Sequence, residues 1–360
     1  MKALVKKIYD PIKPFGERIR KIIEETHPTR IGKVSEDILV RRIGKRYSIT
    51  EVSASLKNSE KMTVTDGTGT KGHLIWLMHA FKDSGSNPFA MTVDDLYEHN
   101  FEPYKIQSHL IFQDENQPAI LEAIESLKDL CIKYKWKAPS GAELPIIIDG
   151  GETAICDTIQ GMEFSVTATG YANPGDVLEG HAEEGDLLIG IASNGIHSNG
   201  LTFVRNSVLK GKDLHYKLSN NTCLGEELTK PTRVYLGALR ELNTHFKEDI
   251  TGKVHITGGG FSKLRELSKK PVSFEVFGGH RLEPQQIFYF IYKESGMKDI
   301  DMLTTFNCGV GYVISIREEV AEECVKMLCR HYPADVIGRV RSGKGQITIH
   351  SPFNRNLVNL

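Results

Sequence analysis

The chain has 360 residues, 40% hydrophobic and 25% charged, with a formal net charge of −1. That length favours two domains over one, the balanced charge excludes a global basic field for nucleic acid, and no apolar run is long enough to span a bilayer. The basic segment from Met1 to Lys7 lacks a signal-peptide core, so a cytoplasmic protein with neither membrane nor nucleic-acid partners is expected.

Along the chain, residues 17–25 place Ile19, Ile22 and Ile23 on one side of a short amphipathic helix, bracketed by Pro11, Pro14 and Pro28. Residues 36–43 and 61–65 read as strands. A helix beginning near His73 ends near Gly85, and another covers 90–98. A strand over 104–112 precedes a helix from Gln117, whose apolar positions Ile120, Leu121, Ile124, Leu127 and Leu130 recur at three and four. The continuous apolar run 144–148 predicts a strand buried on both faces, ending in a turn at Asp149-Gly150-Gly151-Glu152-Thr153. A strand over 164–169 leads to a glycine-punctuated boundary at 170–185. Beyond it, strands are expected at 187–192, 254–256, 272–277, 309–316, 336–340 and 346–350. Helices are expected at 201–209, 232–246, after Gly260, at 284–294 and at 320–330. The six cysteines form no C-x-x-C pair and no zinc-like spacing with histidine, so they read as reduced and mostly buried.

The stretch Val64-Thr65-Asp66-Gly67-Thr68-Gly69-Thr70-Lys71 joins a strand to a helix. Such a junction offers backbone N–H groups and a favourable dipole to an anion. Asp66 adds a carboxylate for a cation and Lys71 a point positive charge. Gly67, Gly69 and Gly72 also spell G-x-G-x-x-G, but no acidic residue follows about 20 positions later at a strand end, and the spacing of a Walker A loop is absent. Asp94, Asp95 and Glu152 are further hard oxygen ligands suited to Mg²⁺ beside substrate phosphates. Asp94 and Asp95 are adjacent, so only one is expected to face a site. Gly258-Gly259-Gly260 reads as a second anion cradle between strand and helix. His197, among small polar residues in a loop, suits either phosphate donation or general acid–base work.

Taken together, DGTGTK (66–71), GGETA (150–154), GDLLIGIASNGIHSNG (185–200), ELTKPTRVY (227–235), HITGGGF (255–261), DMLTTFNCGVGY (301–312) and VIGRV (336–340) resemble the aminoimidazole ribonucleotide synthetase (phosphoribosylformylglycinamidine cyclo-ligase) family, in the family's order. The resemblance implies an α/β (α+β) fold in two domains: residues 1–172 for ATP binding and dimerisation, and 173–360 as a C-terminal α/β domain. The N-terminal domains of a homodimer would pair into a β-barrel. It implies ATP and Mg²⁺ as cofactors and a small ribosyl-phosphate substrate. Asp66, Lys71 and His197 would be catalytic, with Asp66, Asp95 and Glu152 on the metal. Gly67, Thr68, Gly69, Thr70, Gly150, Gly151, Thr153, Gly258, Gly259 and Gly260 would contact nucleotide, and Ser198 and Asn199 the substrate. The N-terminal half departs from the pattern. Of the family's Ser-Tyr-Lys-x-Ala-Gly-Val-Asp only Tyr9-Asp10 remains; Gly44-Lys45-Arg46-Tyr47 stands near where a Gly-Gly-Phe is expected; Asn-Asp has become Asp94-Asp95; and Ile155 replaces an acid. Two other readings therefore accompany ring closure: a paralogue using Mg-ATP on a different amide or carboxylate, and a non-catalytic nucleotide-binding dimer.

Overall fold

A computed structural model describes residues 14–27, 35–44 and 46–360; Tyr9, Asp10, Pro11, Pro28 and Lys45, named above, lie outside them. Helix α1 (Pro14–Glu24) packs Ile19, Ile22 and Ile23 on the core, as their spacing predicts. Strand β1 (Ile38–Ile43) pairs with β2 (Arg46–Glu51), a strand not expected from sequence although Tyr47 and Ile49 alternate with Arg46, Ser48 and Thr50 and Ile49 packs on the core. Next come α2 (Ala54–Asn58), β3 (Glu60–Gly67), α3 (Thr70–Leu77), α4 (Ser86–Glu98), β4 (Glu102–Phe112) and α5 (Gln117–Lys133). Asn116 caps α5 by accepting from the Ala119 N–H at 3.2 Å. The short strands β5 (Trp136–Lys137) and β6 (Glu143–Leu144) lead to β7 (Ile147–Ile155) and β8 (Met162–Ala172).

The first sheet has the order β3-β8-β4-β7, antiparallel except for the β4–β7 pair. Its strands alternate. On β8, Met162, Phe164, Val166 and Ala168 are buried, while Ser165, Thr167 and Thr169 look outward. The structure corrects the expected turn at 149–153. There β7 continues to Ile155, because the parallel ladder with β4 persists past an irregularity between Ile106 and Gln107. Gly151 is glycine for close approach: a Cβ there would lie 2.1 Å from the Ser108 carbonyl oxygen.

The second sheet contains β9 (Leu187–Ala192), β10 (Ile250–His255), β11 (Val272–Val276), β12 (Val310–Ile316), β13 (Ala334–Ser342), β14 (Ile347–His350) and β15 (Leu357–Asn359). Their order is β10-β12-β9-β13-β11-β14-β15. Every residue of β10 and β12 is buried. Helices α6 (Leu201–Phe203), α7 (Leu224–Thr229), α8 (Leu236–Phe246), α9 (Gln286–Ser295), α10 (Asp299–Thr305) and α11 (Ala321–Leu328) surround it. Residues 201–209, expected as one helix, form α6 and then a π-turn over Val204–Val208. After Gly260 the chain forms a 3-10 helix, Gly260–Leu267. One core joins the first sheet to α8, α11 and one face of the second sheet; another fills that sheet's opposite face.

Helix α4 locks the two sheets together. Asp94 is fully buried, and both carboxylate oxygens accept the Tyr235 N–H at 3.0 Å, capping α8 from the other half of the chain. Burial raises the Asp94 carboxyl well above its ordinary value, opposed by that N–H. Asp94→Ala is expected to destabilise the protein by roughly 1–3 kcal/mol, because it strands an N–H that water cannot reach, while Asp94→Asn keeps an acceptor and loses about half of that or less. Urea midpoints of the two variants test this; an unshifted midpoint for the alanine would exclude the cap as a stabilising contact.

Candidate active site between the two sheets

Strand β3 ends by presenting Asp66 toward the second half of the chain. The Gly67 N–H donates to Asp66 Oδ1 at 2.6 Å. Thr68 is fully buried; its N–H donates to the Phe164 carbonyl at 3.0 Å and to Glu163 Oε1 at 3.1 Å. These turn amides are therefore spent on the protein, not held open for an anion. Gly67 and Gly72 answer to packing. A Cβ on Gly67 would meet Glu163 Oε1 at 2.3 Å, and one on Gly72 the Met162 carbonyl at 2.0 Å. Gly69, at φ +52°, begins α3, and the Thr70 hydroxyl hydrogen-bonds that of Thr202 at 2.6 Å. Gly69 and Thr70, with His73 and Arg205, border a surface cavity of about 360 Å³.

Lys71 does not reach that cavity. It is 1% exposed and donates to the carbonyl of His197 at 2.8 Å and to that of Lys230. Burial lowers its amino group to about 7. His197 is itself 2% exposed, with a left-handed backbone (φ +61°) and no hydrogen-bond partner on either ring nitrogen. Its ring lies 6.2 Å from that of Tyr235 and 6.0 Å from that of His255. Burial first, then the charges of His255, Lys71 and Arg233, hold its pKa well below the ordinary value, so it is a neutral imidazole at pH 7. Beside it, Ser198 Oγ bonds Thr232 Oγ1 at 3.1 Å, and Asn199 Oδ1 has no partner. A Cβ on Gly258 would sit 3.2 Å from Asn199 Nδ2, so the 193–200 and 257–260 turns meet. Gly259 and Gly260 both have positive φ, and a Cβ on Gly260 would lie 2.2 Å from the Leu303 carbonyl. Packing alone thus requires glycine at 260.

The acids separate into two groups. Asp95 Oδ1 accepts from His255 Nδ1 at 3.0 Å, and Glu98 accepts the His255 backbone N–H. Asp66 feels Asp95, His255 and Lys263; burial is the largest influence and raises its pKa, the Gly67 N–H opposing and Asp95 adding to it. Glu152 is elsewhere. It is exposed on β7, next to His109 on β4, and with Thr65 and Thr167 lines a cavity of about 880 Å³ on the outward face of the first sheet. Since Thr65 faces that cavity, its neighbour Asp66 faces the other way. Gly150, Gly151 and Thr153 line the same outward cavity, where Asp149 Oδ1 has no hydrogen-bond partner. Among the described residues, no three His, Cys, Asp or Glu side chains are grouped to hold a metal. Asp66 and Asp95 thus form a two-carboxylate pair, with Glu152 on the opposite side of the sheet.

His255, Glu98 and Tyr312 were not singled out from sequence. His255 is stacked on Tyr312 with centroids 5.7 Å apart, and His255 Nε2 and the Tyr312 hydroxyl are buried without partners. The available signal was Lys253 and His255 alternating in an otherwise buried strand, since such polar residues need partners. Lys253 contacts Asn100 Oδ1 at 2.6 Å, and burial lowers its amino group to about 7.

The two buried lysines make stability depend on pH. An unfolded lysine titrates near about 10.4, so between about pH 7 and 10 the unfolded chain holds a proton that the folded chain has released. Stability therefore rises with pH through that window. Lys71→Met is expected to flatten the rise by up to ~1.4 kcal/mol per pH unit. Denaturation midpoints at about pH 7, 8 and 9 measure it; an unchanged slope would mean that Lys71 stays protonated.

The family described as AIR synthase related protein, C-terminal domain, matches residues 183–350. A phosphoribosylformylglycinamidine cyclo-ligase of Methanosarcina mazei is 34% identical over 269 residues, covering 73% of this chain and 75% of that protein. The one from Thermococcus gammatolerans is 33% identical, covering 78% and 79%, and the one from Pyrococcus furiosus 31%, covering 85% and 87%. Among solved structures, hydrogenase maturation protein HypE in complex with ATP superposes with a TM-score of 0.61 at 15% identity, covering 97% of this chain and 94% of that one. Thiamine-monophosphate kinase from Stenotrophomonas maltophilia gives 0.61 at 18% identity, covering 93% and 95%. These two likenesses concern the mixed α/β fold. Identity above 30% across most of both chains decides the family: this chain belongs to the phosphoribosylformylglycinamidine cyclo-ligases.

Proposed function

We propose that the chain is an ATP-dependent cyclo-ligase that closes the imidazole ring of aminoimidazole ribonucleotide in purine biosynthesis. The γ-phosphoryl group of ATP passes to the amide oxygen of the formylglycinamidine substrate, releasing ADP. The neighbouring amine attacks the activated carbon, the new C–N bond forms, and the C–O bond breaks with release of phosphate. The amine gives up a proton in that step, and His197 is our candidate acceptor, a neutral imidazole with both ring nitrogens unbonded. The observation that carries the reading is its setting: the His197 ring adjoins His255, which Asp95 holds, Asp66 feels both Asp95 and His255, and Asn199 beside His197 meets Gly258, in a chain of this family.

Two carboxylates plus substrate phosphates are a donor set that fits Mg²⁺, so Asp66 and Asp95 are the residues that would hold it. The ion would offset phosphate charge. Ser198, Asn199, Gly258 and Gly259 are assigned to the substrate side of the cleft and Gly69 and Thr70 to its rim. Glu152, Gly150, Gly151 and Thr153 line the outward cavity of roughly 880 Å³, across the sheet from Asp66, and we leave them out of the Mg-phosphate site. The half of the protein built on the first sheet (1–172), in a cytoplasmic homodimer, would pair with its copy through this outward Thr/Ser/Gln face and close a barrel. A paralogue acting on another amide is the second reading, favoured by Ile155 and Asp94 standing where the family pattern has an acid and an asparagine.

Incubation of the purified protein with ATP, Mg²⁺ and formylglycinamidine ribonucleotide is expected to yield aminoimidazole ribonucleotide and ADP in equal amounts. ATP hydrolysis with another amide and none with this substrate would transfer the assignment to the paralogue. Asp66→Asn is expected to lower kcat roughly 100-fold or more while the oligomeric state and unfolding midpoint stay the same, since the Asn oxygen still accepts the Gly67 N–H. Near-normal turnover in that variant would remove Asp66 from the site.

A further inference from the structure

Lys71 lies in the first turn of α3, yet its side chain ends between two carbonyls belonging to the other half of the chain. Both acceptors are in segments that shape the cleft. His197 occupies the left-handed backbone region at φ +61°, uncommon for a residue with a Cβ. Lys230 opens the segment whose Pro231 carbonyl accepts Asn194 Nδ2 at 2.8 Å and whose Thr232 hydroxyl bonds Ser198. One amine therefore ties the 193–200 turn to the 230–232 segment and both to α3. No nearby charge offsets its burial. Two carbonyls receive its N–H groups, so its hydrogen bonding does not call for an anion. A phosphate contact would require breaking the hydrogen bonds that Lys71 gives to both carbonyls, whereas the His197 ring nitrogens have none to break.

We propose that Lys71 is a positioning residue that acts through His197: it fixes the backbone of the His197 turn against α3 and makes no contact with phosphate. This rests on the reading of His197 given above and departs from the role that the DGTGTK motif suggests for its lysine. Lys71→Met keeps the aliphatic stem and removes both donors. It is expected to lower kcat roughly tenfold or more, with the KM for ATP and the calorimetric Kd for Mg-ATP changed by less than about threefold. In a His197→Ala background the same change is expected to alter kcat by less than about threefold, because the two residues act as one unit. Losses that multiply in the double variant, or a Kd for Mg-ATP raised about tenfold by Lys71→Met, would overturn the proposal.

The wild-type protein supplies an independent measurement should Lys71→Met not fold. Acylation with an amine-directed reagent, read by mass spectrometry, is expected to leave Lys71 unmodified with or without Mg-ATP. Labelling of Lys71 that Mg-ATP blocks would overturn the clamp. If wild-type protein closes no ring, the functional reading fails, while the acylation pattern still decides whether Lys71 is enclosed.

Discussion

A buried polar group must find a partner, and in this protein the partners lie across the boundary between the two sheets. Asp94 takes the N–H of Tyr235, the residue that caps α8; Lys71 donates to two carbonyls; Glu98 accepts the His255 N–H; Asn87 Oδ1 accepts the N–H and hydroxyl of Thr232. Each bond adds only about 1 kcal/mol net, yet an unpaired member costs about 1–3 kcal/mol. The two halves are therefore not free to choose a relative orientation. The cleft is preorganised because the alternatives leave amides and charges without partners.

That constraint explains the chemistry of the site. Enclosure keeps His197 neutral and raises Asp66, while Asp95 is oriented by the His255 ring. The unpartnered atoms His197 Nδ1 and Nε2, His255 Nε2, the Tyr312 hydroxyl and Asn199 Oδ1 belong to one neighbourhood. They make up five of the eleven unpartnered buried side-chain atoms among the described residues, a concentration that a bound molecule would relieve. The acidic pair lies beside the same neighbourhood, and that proximity is the ground for the roles proposed for Asp66, Asp95 and His197.

The two glycine-rich motifs look alike in sequence and differ in structure. In the 66–72 stretch, Gly67 and Gly72 make room for Glu163 and Met162, and the Gly67 and Thr68 amides are already bonded. In 257–260, Gly260 packs on Leu303, but Gly258 lies beside an unsatisfied Asn199. The glycine pair at 150–151 is a third case, a strand interior pressed against Ser108. A glycine pattern reports that backbone comes close to something; only the neighbours say whether that is a ligand or the protein itself.

Periodicity alone determined most elements. The five apolar positions of α5, the buried run into β7 and the strand 187–192 appear as expected, because burial imposes period on sequence. The ordered motifs also sufficed for the family. β2 and the three-residue β15 were not expected, since each is short, and the length of β7 depended on a ladder with β4. The site was legible as a set of residue types but not as a constellation. Asp66, Lys71, Asp95, Glu152 and His197 were all candidates in the sequence, yet strand alternation sends Glu152 to the opposite face from Asp66, and burial turns Lys71 inward to His197. His255 and Tyr312 emerge only when β10 and β12 pair. Residue chemistry is local; which side chains share a dry cleft is a property of the packing, and the packing is decided by where buried polar groups find partners.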